Sequence, residues 1–456
     1  MEIKNKRVLV VGLGKSGVAS ALFLHDHGAR VTVSDSKQEE HLRNEIPKLL
    51  DMGIAVETGG HGERTFRQQD LIVVSPGVPT NTEPLKQARA LGIPVIGEIE
   101  LASRFLKGRI IAITGSNGKT TTTALAGEVV GWGGREVQVG GNIGTPAIFL
   151  VADSTDDTYN VLEVSSFQLE TIQSFRPYVA VVLNISPDHL DRHGSMEAYT
   201  AAKRRIFENQ KPDDFAVLNA DDPTCVQMAE GIQPRIYWFS RKKEMDLGAF
   251  VRGDRILLRD DSGEHDVMPV SEIPLKGAHN LENVLAAVCI GGITQTEPGR
   301  IRNAVKEFKA VEHRLEFVAT VNGVDYYNDS KATNVDATIK ALESFPANIH
   351  IILGGKDKGA PYTPLVPLLK ERAKRVYTIG AAAAKIEEEI SGAVPIVQAG
   401  TLDIALRRAA EAAIAGDVVV LAPACASFDQ FDNYEHRGRV FKELVQELAA
   451  KKVGQS

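Results

Sequence analysis

Cysteine is scarce in this chain. There are 3 in 456 residues, Cys225, Cys289 and Cys425, and none shares a CxxC or metal-type spacing with another. That argues against a disulfide-stapled secreted fold or a thiolate zinc site, and predicts reduced thiols in a reducing compartment. Long apolar runs are missing too: no segment reaches the roughly 18 uninterrupted residues of a membrane span. The charged start leads into Val8-Leu9-Val10-Val11, but Gly12 ends that run too soon for a signal peptide. A cytoplasmic protein without membrane insertion is therefore expected. There is no excess of positive charge either. With 52 basic and 59 acidic residues the net charge is −7, which argues against nucleic-acid binding but not against a local basic site for a smaller anion.

What is present is the composition of a soluble globular protein, 43% hydrophobic and 24% charged, too long for a single core. The most informative stretch is Thr114-Gly115-Ser116-Asn117-Gly118-Lys119-Thr120-Thr121-Thr122. It follows the β-branched run Ile110–Ile113 and precedes a predicted helix from about Thr120 to Val130. Strand, glycine-rich loop, Lys-Thr and helix form a phosphate cradle: backbone N–H groups face the anion, Lys119 neutralises it, and Thr120 can hold Mg²⁺. The loop is shorter than the usual one. Only Ser116 and Asn117 separate Gly115 from Gly118, where four residues are standard. The bland alternative is a glycine-rich turn with an exposed lysine.

A second glycine motif comes first in the chain. Gly12-x-Gly14-Lys15-Ser16-Gly17, followed by Asp35, has the spacing of a dinucleotide fingerprint. Three readings stay open for it: an NAD-dependent oxidoreductase, tight strand–helix packing, or another diphosphate such as that of a UDP-sugar.

Strands alternate with helices throughout, so an α/β protein of three domains with mostly parallel sheets is predicted. Strands are expected at Val8–Val11, Arg30–Ser34 and Leu71–Val74, the last running into Ser75-Pro76-Gly77-Val78-Pro79. Others are expected at 161–164, 179–183, 215–218, 349–353, 376–379 and 418–421. A helix is predicted over 196–209, capped by Ser195, and the short run Ala381–Ala384 reads as helix. The expected domains are 1–97, Rossmann-like; 98–310, a central P-loop ATPase-like domain; and 311–456, again Rossmann-like.

Further strings decide between the readings. They are Gly141-Asn142-Ile143-Gly144, Glu163-Val164-Ser165-Ser166-Phe167-Gln168-Leu169-Glu170, Asn184-Ile185-Ser186-Pro187-Asp188-His189 and Ala201-Ala202-Lys203. Gly277-Ala278-His279-Asn280, Glu312-His313-Arg314, Asp329-Ser330-Lys331-Ala332-Thr333-Asn334 and Gly354-Gly355-Lys356-Asp357-Lys358-Gly359 follow. Taken in order over nearly the whole chain, these resemble the Mur ligase family of ATP-dependent amide-forming enzymes. Glu163–Glu170, Ser75-Pro76-Gly77 and the stretch from Ala422 to Phe431 look like the D-glutamate-adding member. The Asp-Asn-Pro-Arg string of the diaminopimelate-adding member is not found. A folylpolyglutamate-type ligase or a non-catalytic nucleotide-binding module are the alternatives.

The resemblance implies the substrates UDP-N-acetylmuramoyl-L-alanine, ATP and D-glutamate, and a monomer is expected. It implies ATP binding by Gly115, Ser116, Asn117, Gly118, Lys119, Thr120, Thr121, Asn280, Arg314, Asp329 and Lys331. Two Mg²⁺ sites (Mn²⁺ being the alternative ion) fall to Thr120, Glu163, His189 and a CO₂-derived carbamate on Lys203. The UDP-substrate falls to Gly14, Lys15, Ser16, Gly17, Asp35, Ser36, Ser75, Gly77 and Asn142, and D-glutamate to Thr333, Lys356, Ser427 and Phe428. By residue type alone the ordinary readings differ: Glu163 a structural carboxylate, His189 an exposed turn histidine, Lys203 part of a solvated helix face. With site residues coming from all three segments, domain closure is expected to complete the site, opening without ligands and closing with nucleotide.

Overall fold

The computed structural model of the chain describes residues 1–43, 45–275, 277–309 and 312–453, the last three by backbone alone. It is an α/β protein with three sheets. The first has the spatial order Ala55–Glu57, Arg30–Ser34, Arg7–Val11, Leu71–Val74, Val95–Gly97, all parallel. Strand order reverses between Arg7–Val11 and Leu71–Val74, which pair with Val8 opposite Leu71. That reversal opens a crevice at the carboxyl ends of the strands, and both the Gly12–Gly17 turn and the Ser75 turn lie there.

The central sheet has nine strands. From one edge they run Gly263–Pro269, Arg255–Asp260, Gly248–Arg252, Arg235–Ser240, Phe215–Asn219, Val179–Val182, Arg109–Thr114, Thr158–Glu163 and Glu136–Gly141. Only the first three are antiparallel to one another. The third sheet pairs an antiparallel edge hairpin, Glu316–Val321 with Val324–Asn328, to the parallel strands Val418–Leu421, Ile349–Gly354, Ala373–Ile379 and Ile396–Gly400.

The apolar runs become strands because helices cover both faces of each sheet. Val8 and Val10 pack on one side and Leu9 and Val11 on the other. Ile110 and Ala112 likewise divide from Ile111 and Ile113, as Ile351 and Leu353 do from Ile352. One continuous apolar cluster runs from Val8 through Ile99 and Ile148 to Leu218, so the first two sheets share a core.

The expected strands are present, but those expected from 161 and 376 begin three residues earlier, at Thr158 and Ala373, and those expected to end at 164 and 183 stop at Glu163 and Val182. Helix ends differ more. The helix expected over 196–209 is α-helical only across Met196–Arg204, followed by a 3₁₀ turn at Arg205–Phe207. Ser195 caps it, accepting from the Ala198 N–H. Ala381 and Ala382 form a turn, not helix; Ala381 donates its N–H to Asp429 at 2.9 Å, and the helix begins at Ala383. The expected junction between 310 and 311 lies outside the described residues.

Between the first two sheets the helix Glu98–Ser103 carries a fully buried carboxylate. Glu100 accepts backbone N–H groups from Gln173, Ser174 and Phe175, the Ser174 hydroxyl at 2.6 Å, and Arg104 at 2.7 Å. Burial pushes its pKa up, but these donors outweigh burial and hold it below the ordinary 4.5. The stability it contributes is therefore present above the ordinary carboxylate range and lost as pH falls below it. Glu100→Ala would strand several buried donors and should destabilise the protein by about 3 kcal/mol. A denaturation midpoint equal to wild type would show the clasp to be dispensable.

Candidate active site

The phosphate loop starts where the strand Arg109–Thr114 leaves the sheet. Gly118 adopts φ 85°, and a Cβ there would come within 2.2 Å of Asn283 Oδ1, so only glycine fits. The two residues between the glycines are braced from outside. Asn184 accepts the Asn117 N–H at 2.8 Å and donates to its carbonyl at 3.1 Å. Ser116 Oγ donates to the Ser186 carbonyl and accepts the Ser186 N–H, both at 2.9 Å. The helix Lys119–Trp132 follows, its first N–H groups facing the loop. Lys119 Nζ lies on the Gly115 and Ser116 carbonyls at 2.9 and 2.8 Å.

Glu163 ends the strand Thr158–Glu163, is 1% exposed, and sits beside this loop. One carboxylate oxygen accepts the Thr120 hydroxyl at 2.7 Å, the other the Asn142 amide at 2.9 Å. Lys203 is 1% exposed, not on a solvated face. Its Nζ donates to the Gly115 carbonyl at 2.9 Å and stands 4.8 Å from the Tyr199 ring, one helical turn earlier. Burial lowers its pKa well below 10.5, and Lys119 adds to the effect. His189, at φ 53°, packs edge-on against Phe167. Burial drops its pKa to about 4 despite Asp188.

These groups line one cleft of about 540 Å³. It runs from Lys15 and Ser16 in the first domain, past Asn142, Glu163, His189 and Lys203, to Arg314, Lys331, Thr333, Lys358 and Phe428. A second pocket of about 360 Å³ lies across the phosphate loop, lined by Gly118, Asp222, His279, Arg314, Asp329 and Lys340 among others. Arg314 and Asn117 border both spaces. Arg314 Nε is buried with no hydrogen-bond partner among the described residues. Asp329 accepts the Leu315 N–H, and burial raises its pKa to about 6. Burial lowers Lys331 to about 8, with Glu163 opposing.

Other expected residues frame the site without lining either space. Gly17 leaves no room for a Cβ, which would meet the Gly12 carbonyl at 1.8 Å, so it packs helix on strand; a Cβ on Gly14 meets nothing within 4 Å. Asp35 is buried, accepting N–H groups of Leu13 and Lys37 at 2.6 and 2.8 Å, and so braces the first turn. Ser75 donates to the Gly12 carbonyl, while Ser36 and Gly77 are exposed. Thr121 Oγ1 is buried without a partner among the described residues, and Asn280 accepts from Asn283 at 3.0 Å. Ser427 is 2% exposed and off the cleft wall.

One expectation needs correction. Lys356 is exposed and its backbone bridges to Ala426, so its side chain does not line the cleft; two residues on, Lys358 does. Lys358 Nζ reaches Asp188 at 3.3 Å and Thr333 Oγ1 at 3.4 Å. Tyr434, which opens the last helix, also lines the cleft and accepts from Lys331 at 3.3 Å, a role no sequence spacing signalled. Asp188 lines the cleft as well. Burial pushes its pKa up, but Lys358, His189 and Lys119 outweigh that and keep it low.

The third domain is closed onto the second. Asp336 accepts Asn117 Nδ2 at 2.6 Å and the Ser186 hydroxyl at 3.1 Å; Asp188 accepts Asn334 and Lys358; Lys331 donates to Thr120. Arg192 holds the first domain by donating to the Pro76 and Val78 carbonyls at 3.0 and 2.9 Å. The double variant Asp188→Ala with Asp336→Ala removes the acceptors of four of these closing contacts. Its radius of gyration by small-angle scattering should exceed wild type; an unchanged curve would show that closure does not depend on them.

Comparison with known proteins follows the same three parts. Family models for the Mur ligase MurD-like N-terminal domain, the Mur ligase middle domain and the Mur ligase glutamate ligase domain match residues 6–97, 113–291 and 313–425. A UDP-N-acetylmuramoylalanine–D-glutamate ligase of Koribacter versatilis is 66% identical over 98% of this chain and 99% of its own length. One of the same name from Acidobacterium capsulatum is 61% identical over 98% of this chain and 97% of its own. Among solved structures, a pseudomurein peptide ligase type C from Methanothermus fervidus superposes with TM-score 0.61 at 21% identity, covering 97% of this chain and all (100%) of its own. The MurF ligase from Thermotoga maritima in complex with ADP gives TM-score 0.60 at 17% identity, over 98% of this chain and 96% of its own. Both share the fold.

Proposed function

The chain belongs to the Mur ligase family, and on that premise we propose that it joins D-glutamate to UDP-N-acetylmuramoyl-L-alanine, converting ATP to ADP and phosphate. The observation that carries this reading is the continuous path through the site. A nucleoside-sized pocket and a cleft reaching the first domain's glycine turn meet at Asn117 of the phosphate loop and at Arg314, with Glu163 on the cleft side of that loop, so a polyphosphate and a carboxylate can be brought together there.

Carboxylate and amine do not condense unaided, so the alanyl carboxylate is first phosphorylated and the amine then displaces phosphate from the acyl phosphate. Phosphoryl transfer between two anions depends on positioning and on neutralising charge. Lys119, Lys331 and Arg314 supply that positive charge, and the helix N-terminus at Lys119 supports it. Asp329 and Arg314 take the nucleoside side, with Asn280 behind the loop through Asn283. Gly14, Ser16, Asp35, Ser36, Ser75 and Gly77 form the UDP end, where the space beside Gly14 lets a diphosphate approach backbone.

Divalent cations suit this donor set: a hydroxyl, a carboxylate and one imidazole fit Mg²⁺ or Mn²⁺. Thr120, Glu163 and His189 would hold them, supplying charge neutralisation at the transferring phosphate. An ammonium on Lys203 would oppose a cation there. A carbamate, formed by CO₂ on the neutral amine that burial favours, reverses its sign and supports the second metal position. The D-glutamate carboxylates fall to Lys358 and Thr333, with Phe428 and Tyr434 walling the pocket. The protein works as a cytoplasmic monomer.

Phosphate release with UDP-N-acetylmuramoyl-L-alanine, ATP and a panel of D- and L-amino acids should respond to D-glutamate alone. A signal with another amino acid instead would transfer the chain to a different family activity. Lys203→Ala should be nearly inactive and partly restored by short carboxylates; normal unrescued activity would remove the carbamate. Lys358→Ala should raise KM for D-glutamate by at least about tenfold, the loss of one charged hydrogen bond, while Lys356→Ala leaves it near wild type. The reverse ranking would return the role to Lys356.

A further inference from the structure

Beside the cleft lies a polar chain that the reaction as described leaves unused. Ser166, the first residue of the short helix Ser166–Leu169, is 2% exposed and lines the cleft three residues beyond Glu163. Its Oγ is 2.9 Å from His193 Nε2. On the other side of that ring, Nδ1 stands 3.4 Å from Glu170 Oε1. The imidazole is stacked on Phe167, centroids 5.3 Å apart at 16°, and its side chain is 4% exposed. Glu170 is itself fixed: its other oxygen accepts the Thr80 hydroxyl at 3.2 Å and lies 3.6 Å from Arg192.

The order of these groups sets the direction of each hydrogen bond. Glu170 beside Nδ1 draws the imidazole hydrogen to that nitrogen and leaves Nε2 bare. The bare Nε2 then takes the Ser166 hydroxyl hydrogen. Ser166 is left with lone pairs toward the cleft and no hydrogen to give. Of the groups present when the new bond forms, the alanyl carboxyl and its acyl phosphate bring no hydrogen to such an acceptor; the attacking amine does.

We propose that Ser166 Oγ accepts an N–H of the attacking amine, with His193 and Glu170 as positioning residues that commit its hydroxyl hydrogen elsewhere. The inference rests on the ligase reading above. The amine enters neutral, its nitrogen lone pair aimed at the acyl carbon and one N–H on Ser166. As the C–N bond forms, the C–O bond to phosphate breaks, and the proton lost from nitrogen leaves on the departing phosphate. An acceptor at the nitrogen stabilises the positive charge that develops there during attack and acts on this half-reaction alone.

The test separates the two half-reactions in the full-length enzyme. With ATP and UDP-N-acetylmuramoyl-L-alanine but no D-glutamate, acyl phosphate is trapped by borohydride reduction; with D-glutamate, amide formation is measured. Ser166→Ala and His193→Leu should trap acyl phosphate at the wild-type level yet lose about tenfold in kcat for amide formation, the worth of one hydrogen bond. His193→Gln, whose amide can donate to Glu170 and accept from Ser166, should recover most of it. Trapping that falls in parallel with ligation would mark a merely structural role and overturn the proposal, as would full turnover by Ser166→Ala. Failure of the wild-type enzyme to form any trappable acyl phosphate would overturn the ligase reading, and this proposal with it.

Discussion

The cleft carries more positive charge than the protein alone can satisfy, and much of the architecture follows from that imbalance. Lys15, Lys119, Lys203, Lys331, Lys358 and Arg314 line it against Glu163, Asp188 and Glu435. Burial lowers the pKa values of Lys119, Lys203 and Lys331, and neighbouring cations add to that cost. Each cation meanwhile rests on whatever oxygen lies nearest: Lys119 on loop carbonyls, Lys331 on Thr120, Lys358 on Asp188. On the ligase reading a polyphosphate would supply the missing negative charge, and Arg314 Nε has a donor that no described residue uses. The same imbalance explains why Asp188 acts at the joint between the second and third domains. The few anions available must neutralise cations arriving from different parts of the chain.

Closure is therefore as much electrostatic as mechanical. Lys331 and Lys358 belong to the third domain, while Thr120 and Asp188 belong to the second. Ligands that bring anions into the cleft compete with these contacts and replace them with stronger charge-assisted ones. The first domain is tied down differently, by neutral carbonyls accepting from Arg192 and by an apolar cluster shared with the central sheet. Of the two junctions, the one made of exchangeable hydrogen bonds to charged side chains, with the Lys358–Asp188 ion pair, is the one suited to open and close.

Much of the fold was legible because its central strands are buried on both faces. Runs such as Val8–Val11 and Val418–Leu421 have no competing periodicity, and each became a strand at the bounds read from the residues or within a few of them. The edge strands were not legible. Glu136–Gly141 mixes charge and glycine, and Gly263–Pro269 opens on charged residues that make surface ion pairs, Glu264 with Arg259 and Asp266 with Arg255. Lys203 shows what a charge run conceals. Tyr199, Ala202, Lys203 and Ile206 are all buried on one helical stripe, whereas Arg204 is not, so the apolar spacing marked Lys203 as inward-facing. For Lys356 and Lys358 no spacing argument was available. The loop holds both within three residues, and only its folded path sets Lys358 on the cleft wall, within reach of Asp188 and Thr333.

The two glycine motifs show why a shared spacing does not carry a shared function. At the first, Gly17 is required for packing and Asp35 is spent on the Leu13 and Lys37 N–H groups, so the carboxylate that completes a dinucleotide fingerprint on paper braces its own turn. The property retained by that turn is open space beside Gly14 at a strand-order reversal, which suits any diphosphate. At the second motif the shortened loop gains from Asn184, Ser186 and Asn283 the support that a longer loop provides within itself. Its chemistry comes from residues far along the chain: Glu163 on the adjacent strand, Lys203 beneath the loop, and Lys331 and Arg314 from the third domain. A phosphate cradle becomes an amide-forming site only when those groups meet it, and it is the tertiary closure, not the glycine spacing, that brings them there.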